Sequence, residues 1–246
     1  MRSLSKILLI LTLATAGCGG SDDSPPGPLA SHFEMKHIVQ IDVAQQSGAM
    51  DAQRSWNVAQ AEEGKAKADY DDMANKLTAA RNDRSKAKLE VDTAISNKKS
   101  AEASADPNKM NTAQKDQRTA ELAVKAADAR IKYYEAYRGW LKIHWRSAQE
   151  GMYWHEAQFE LAKAQLAQKN NVAIKGVNYE SFPKQEADRN KRAQSSKQKA
   201  DGQKGKATNA REEWLKMQQT ADQASGKPSG YPDPMGASAP TAATGS

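Results

Sequence analysis

The chain reads as all-α: a long antiparallel coiled-coil hairpin with a third helix folded back along it, giving a three-helix base and a two-helix tip. Three observations carry that expectation. Ala, Lys and Gln dominate while Phe numbers only 3, a composition that suits long helices rather than a mixed α/β core. Apolar and small residues recur every seven positions over tens of residues, the period of helices that wind around one another. No proline falls between Pro28 and Pro107 or between Pro107 and Pro183, and no segment alternates as a strand would.

The first element is a targeting segment. Arg2 and Lys6 precede the apolar run Ile7 to Ala16, and Thr15-Ala16-Gly17-Cys18 bring small residues up to the single cysteine. A basic start, a short apolar stretch and small residues at its end make a secretory signal. The run is shorter than the ~20 residues a membrane-spanning helix needs. The Ala-Gly-Cys ending resembles the lipobox of bacterial lipoproteins, with Thr15 standing where leucine is usual. That resemblance implies a signal peptide over 1–17, cleavage before Cys18, and lipidation of Cys18 as the first residue of the mature chain. It places the protein in the cell envelope, held to a membrane and facing the periplasm or cell surface. Gly19, rather than aspartate, follows the cysteine, which under the sorting rules of some double-membraned bacteria implies the outer membrane. Residues 1–17 hold Arg2 and Lys6 and no acid, so the net charge of +6 falls to +4 without them. With no second cysteine there is no disulfide framework to build.

Residues 18–30 are read as the lipidated cysteine and a flexible tether, rich in Gly, Ser and Pro. Helix one is expected over 31–104, opening on Ser31 with Glu34 at capping-box spacing. Its seam alternates two sets: Trp56, Glu63, Tyr70, Leu77 and Arg84 in the first, and Ala59, Ala66, Met73, Ala80, Ala87 and Ala94 in the second. Alanines there let a partner backbone come close.

Asp106-Pro107 ends that run and opens helix two, proline suiting the first helical position and aspartate its cap. Helix two is expected over 107–170, with Ile131, Arg138, Trp145, Met152, Phe159 and Leu166 in one set and Ala120, Ala127, Tyr134, Leu141, Ala148 and His155 in the other. A short connection makes the two helices antiparallel neighbours. Facing positions then sum to about 211 or 218. The first register sets Ala66 on Trp145 and Ala52 on Phe159. The second sets Met73 on Trp145 and brings Glu63 to His155, a register-setting polar layer or a pH-sensitive contact.

Helix two also carries a second stripe, Tyr133, Tyr137, Trp140, His144, Trp154 and Leu161, too large to be left bare. Helix three is expected over 183–224 to cover it, folding back about Gly176. Its seam is Ala193, Ala200, Ala207, Trp214 and Ala221, with Trp214 arriving near Tyr137 and Trp140. The tip left with two helices would then span about 82–128. Residues 225–246, rich in Gly, Pro and Ser, read as a disordered tail.

No constellation points to catalysis. His144 and His155 are three turns apart and cannot share a metal, and no His-Glu-x-x-His, Cys-x-x-Cys or phosphate-loop motif occurs. The reading is a protein without catalytic residues, cofactor or metal. The one biased segment is basic: Lys184, Arg189, Lys191, Arg192, Lys197, Lys199, Lys204, Lys206 and Arg211 against Glu186, Asp188 and Asp201. It is a candidate patch for an anionic partner, such as lipid headgroups or an acidic envelope polymer, with a solvated helix face as the plainer account. Nucleic acid does not fit an exported chain. The expected function is a helical spacer, scaffold or partner-binding module, with the membrane as one partner, a protein or anionic polymer as another, and pairing between copies open to so long a seam. The alternative is a periplasmic holdase, since basic helical hairpins that clasp clients resemble the Skp chaperone family. The β-body of that family has no counterpart here, and residues 95–119 are mostly polar.

Overall fold

The computed structural model describes residues 25–172 and 174–236. The expected signal peptide, Cys18 and the first part of the expected tether lie outside the described residues, as does the end of the tail. Three long helices make up the body: α1 (Ser47–Ala103), α2 (Pro107–Lys169) and α3 (Ser181–Ser225). No strand occurs among the described residues. At 1.5 Å per residue, α1 is ~86 Å long and α2 ~95 Å.

The seven-residue phase is the packing seam. On α1 the buried residues are Ala49, Ala59, Ala66, Met73, Leu77, Ala80, Ala87, Ala94 and Ala101. On α3 they include Ala193, Ala200, Ala207, Trp214 and Ala221, the whole expected repeat. The sharp reversal between α1 and α2 has the expected chemistry. The Asp106 carboxylate accepts from the backbone N–H groups of Asn108 and Lys109, and Pro107 takes the first helical position. Ala105, at φ 50°, absorbs the left-handed step of that turn.

The register sits close to the first alternative. Arg84 pairs with Asp128, and Glu63 accepts hydrogen bonds from Trp145 Nε1 and Gln149 Nε2. Tyr70 stacks on Trp145 at 5.8 Å, and Trp56 on Phe159 at 5.8 Å. The Glu63–His155 contact of the second register does not form. Glu63 is taken by Trp145, and His155 Nδ1 meets Gln158 at 2.9 Å.

Two clusters hold the base. One joins Met73, Leu77 and Ala80 of α1 to Tyr133, Tyr134, Tyr137 and Leu141 of α2 and to Ala207 and Trp214 of α3. Trp214 stacks on Tyr133 at 5.3 Å, one turn closer to the tip than its sequence partners Tyr137 and Trp140 suggested. α3 also runs further than expected. Thr119 Oγ1 donates to the Ala224 carbonyl, so the two-helix tip is shorter than 82–128.

The other cluster closes the far end of the base and corrects the start of helix one. Residues 31–46 are not helical beyond the short 3₁₀ turns Met35–His37 and Val43–Gln45. At the ends of α2 and α3, α1 covers Phe159 through Trp56 but leaves Leu166, Ala167 and Phe182 to be covered by another segment. Residues 31–46 cross over them and bury Phe33, Ile38 and Ile41 there. Glu34 pairs with Lys36 rather than closing a capping box, and Gln185 grips the Ser31 backbone through both N–H and C=O. Gln46 Nε2 donates to the carbonyls of Ile38 and Ile41, tying the crossing to the first turn of α1.

Candidate functional site

Both ends of the chain, read as flexible from composition, are docked where they are described. At the start, Arg189 of α3 is buried, and its Nη2 donates to the carbonyls of Gly27 (2.7 Å) and Pro28 (3.0 Å), with Leu29 buried beside them. A buried pair fastens the next residues. Glu160 accepts from the Phe33 N–H, and Lys163 Nζ donates to the Phe33 carbonyl (2.6 Å) and to Glu160 (2.9 Å). Each member satisfies the others, which is the condition under which a buried charge pair is tolerated.

At the other end, residues 231–236 lie across the upper base. Asp233 accepts from Arg211 Nε (2.6 Å) and from the Tyr133 hydroxyl (2.8 Å), and the Tyr134 hydroxyl donates to the Pro232 carbonyl (2.7 Å). Arg130, itself buried, lies 3.5 Å from the Tyr231 ring centre and donates to Asp83 (2.8 Å). Burial opposes ionisation of Asp233, but the hydrogen bonds from Arg211 and Tyr133 prevail and hold its carboxyl below the usual range. Burial and the neighbouring Asp233 push the Tyr133 hydroxyl well up, so it stays protonated and donates.

The nine cations of the basic segment therefore divide. Arg189 and Arg211 are clamps for the two chain ends, not surface charges. Lys197 pairs with Asp201 at 3.1 Å, and Lys204 sits 5.7 Å from the Trp140 ring centre. The remaining five, Lys184, Lys191, Arg192, Lys199 and Lys206, are exposed. Among the described residues, none of them meets a carboxylate within ion-pair distance. The buried seam of α3 passes through Ala193, Ala200 and Ala207; Lys191 and Lys184 fall on the opposite side, while Arg192, Lys199 and Lys206 each precede a seam alanine and lie about 100° round the helix, on its flank. Arg192, Lys199 and Lys206 fall one heptad apart, ~10 Å per step. Asp188 shares their sector, and Glu212 and Glu213 continue the same two heptad positions just beyond Lys206.

α1 and α3 both lean on α2 and leave a groove of about 530 Å³ between them. Small residues open it: Ala59 and Ala66 on one wall, Ala193 and Ala200 on the other, Ala148 and Gly151 below. His144 and His155 both border it, which the two-seam reading of helix two did not anticipate. His144 stacks on Trp140 at 5.1 Å, and this loss of water pushes its imidazole below the ordinary histidine value. Ion pairs Lys65–Asp69 and Lys197–Asp201 line the rims, so neither wall presents one sign of charge. Among the described residues, no group of three or more His, Cys, Asp or Glu side chains could hold a metal ion. No described helix is long and apolar enough to cross a membrane.

Sequence reasoning missed the partners of Arg130, Glu160 and Lys163. Arg130 did carry a signal: it continues the aromatic stripe one step back from Tyr133, a core position that a charge occupies only with a partner. The chain matches no protein-family model, no curated protein and no solved structure.

Proposed function

We propose that this protein is a non-catalytic lipoprotein of the cell envelope, a rod anchored through Cys18 that holds an anionic partner along α3. The observation that carries the reading is the outer face of α3. Lys184, Lys191, Arg192, Lys199 and Lys206 line ~33 Å of one rigid helix with no carboxylate drawn onto them. Neighbouring cations repel, and none of the five is neutralised by an ion pair among the described residues, so the face keeps its charge for something outside the chain. A row at ~10 Å steps suits a repeating polyanion or the acidic face of a partner protein, and its attraction falls with salt. The seam supplies length and stiffness, and the aromatic base fixes the face at a set height on the rod. The lipobox-like ending at Cys18 supplies the compartment.

The test is in-cell crosslinking followed by recovery of the tagged protein from native envelopes. It is run beside Cys18→Ser and beside a variant with Lys191, Arg192, Lys199 and Lys206 changed to Gln. The reading expects one partner or polymer, lost in the Gln variant and depleted without the anchor. Recovery of many unrelated unfolded envelope proteins, unchanged in both variants, contradicts it and favours a holdase.

A further inference from the structure

The crossing segment at the foot of the rod is apolar on both sides. Its inner side chains, Phe33, Ile38 and Ile41, are fully used against α2 and α3. Its outer ones have no cover: Met35 is 44% exposed, Val39 66% and Val43 70%, with Met50 at 47% one turn into α1. The other large exposed apolar residues are spread singly along the rod. The outer side chains cannot turn inward, because the inner positions are filled and Gln46 ties the backbone at Ile38 and Ile41.

Exposed cations lie at the same end of the rod. Lys169 at the end of α2, Lys175 in the α2–α3 connection and Lys184 in the first turn of α3 are exposed, and among the described residues none has an ion pair. Lys36 and Arg54 are matched by Glu34 and Asp51. The unpaired acids at this end include Asp42, which caps the Ala44 N–H, Glu180, and Asp188 one turn on from Lys184.

The chain leaves the body at the same end. Arg189 pins Gly27 and Pro28, and nine residues separate Gly27 from Cys18, a reach of at most ~30 Å. The tip stands ~85 Å away, so of the two ends only the base can touch the surface that holds Cys18. Exposed apolar side chains and unpaired cations at one end match the interface of an anionic bilayer, where apolar groups enter the headgroup boundary and lysines meet phosphates.

We propose that the ledge formed by Met35, Val39 and Val43, together with Lys169, Lys175 and Lys184 at the same end, is a foot that contacts the bilayer carrying the lipid anchor. It rests on the reading of Cys18 as lipidated. A lipid anchor by itself fixes one point and leaves the rod free to swing. A second contact at the base makes it stand, with the basic face of α3 upright above the surface.

The test uses the full lipidated protein in vesicles of phosphatidylethanolamine and phosphatidylglycerol. Lipidation occupies the Cys18 sulfur, so Val43→Cys or Leu89→Cys supplies the one free thiol for a polarity-sensitive fluorophore. Quenching by spin-labelled lipid should be several-fold stronger at 43 than at 89, and Met35→Ser with Val39→Ser should weaken it. Equal quenching at both positions in vesicle-bound protein overturns the foot while leaving the anchor intact. A chain that carries no acyl mass at residue 18 and does not float with vesicles removes the anchor, and with it the foot.

Discussion

The base and the tip are built on one seam but filled differently. Towards the tip, the buried seam is filled by Ala87, Ala94 and Ala101 of α1 and by Ala113 and Ala120 of α2, so each layer buries little apolar area. In the base, the alanines of α1 and α3 stand around Tyr133, Tyr134, Tyr137, Leu141 and Trp214. Aromatic side chains bury ~150–250 Å² each, several times what an alanine layer removes from water. The same heptad thus gives a stiff base and a tip held mainly by helix propensity and close backbone approach. Stability in such a rod is graded, and the tip is the region that opens first.

The largest break in that contrast comes from the base. Trp214→Ala removes the centre of its core and should lower stability by ~3–5 kcal/mol, read as a drop in denaturant midpoint at unchanged slope. An unchanged midpoint would mean α3 contributes nothing to the bundle. Next is overpacking. Ala80→Trp should lower stability by ~1–3 kcal/mol because three helices hold that layer closed, while Ala101→Trp at the tip should do less, since two helices can spread. Equal effects would show that the tip is as constrained as the base.

Smaller still is the docked tail. Asp233→Asn keeps the shape and loses the charge opposite Arg211, a change of ~1 kcal/mol for a partly exposed pair. The pH dependence has the same origin. The Asp233 carboxyl is held below its free value of 3.8, so its contribution is present above that value and disappears as acid takes pH through the lower, folded one. Tyr231 should then leave Arg130, which nuclear magnetic resonance of its ring protons would follow. Detachment of the ring between pH 5 and 7 would mean Asp233 is not the latch. The smallest effect is local. Ala94→Gly should cost the tip ~1 kcal/mol and speed its amide exchange, while Tyr133 and Leu141 amides stay protected.

The helices and their seams were legible because period, proline placement and capping act locally. Ala193 through Ala221 and the Asp106-Pro107 turn needed no knowledge of the rest of the chain. What was not legible depended on ends meeting ends. The capping-box spacing of Ser31 and Glu34 suggested a helix, yet the apolar ends of α2 and α3 draw Phe33, Ile38 and Ile41 across them. The tail reads as polar filler until Tyr231 and Asp233 find Arg130, Tyr133 and Arg211, residues about 20 to 100 positions away. The basic segment was visible as composition. Its division into Arg189 and Arg211 as clamps and five outer cations required the fold.

The measurement that tests the central claim most directly is the intact mass of the mature chain taken from native membranes. The account predicts a chain that begins at Cys18 with acyl groups added there. A chain that begins elsewhere, or carries an unmodified Cys18, would contradict an anchored rod.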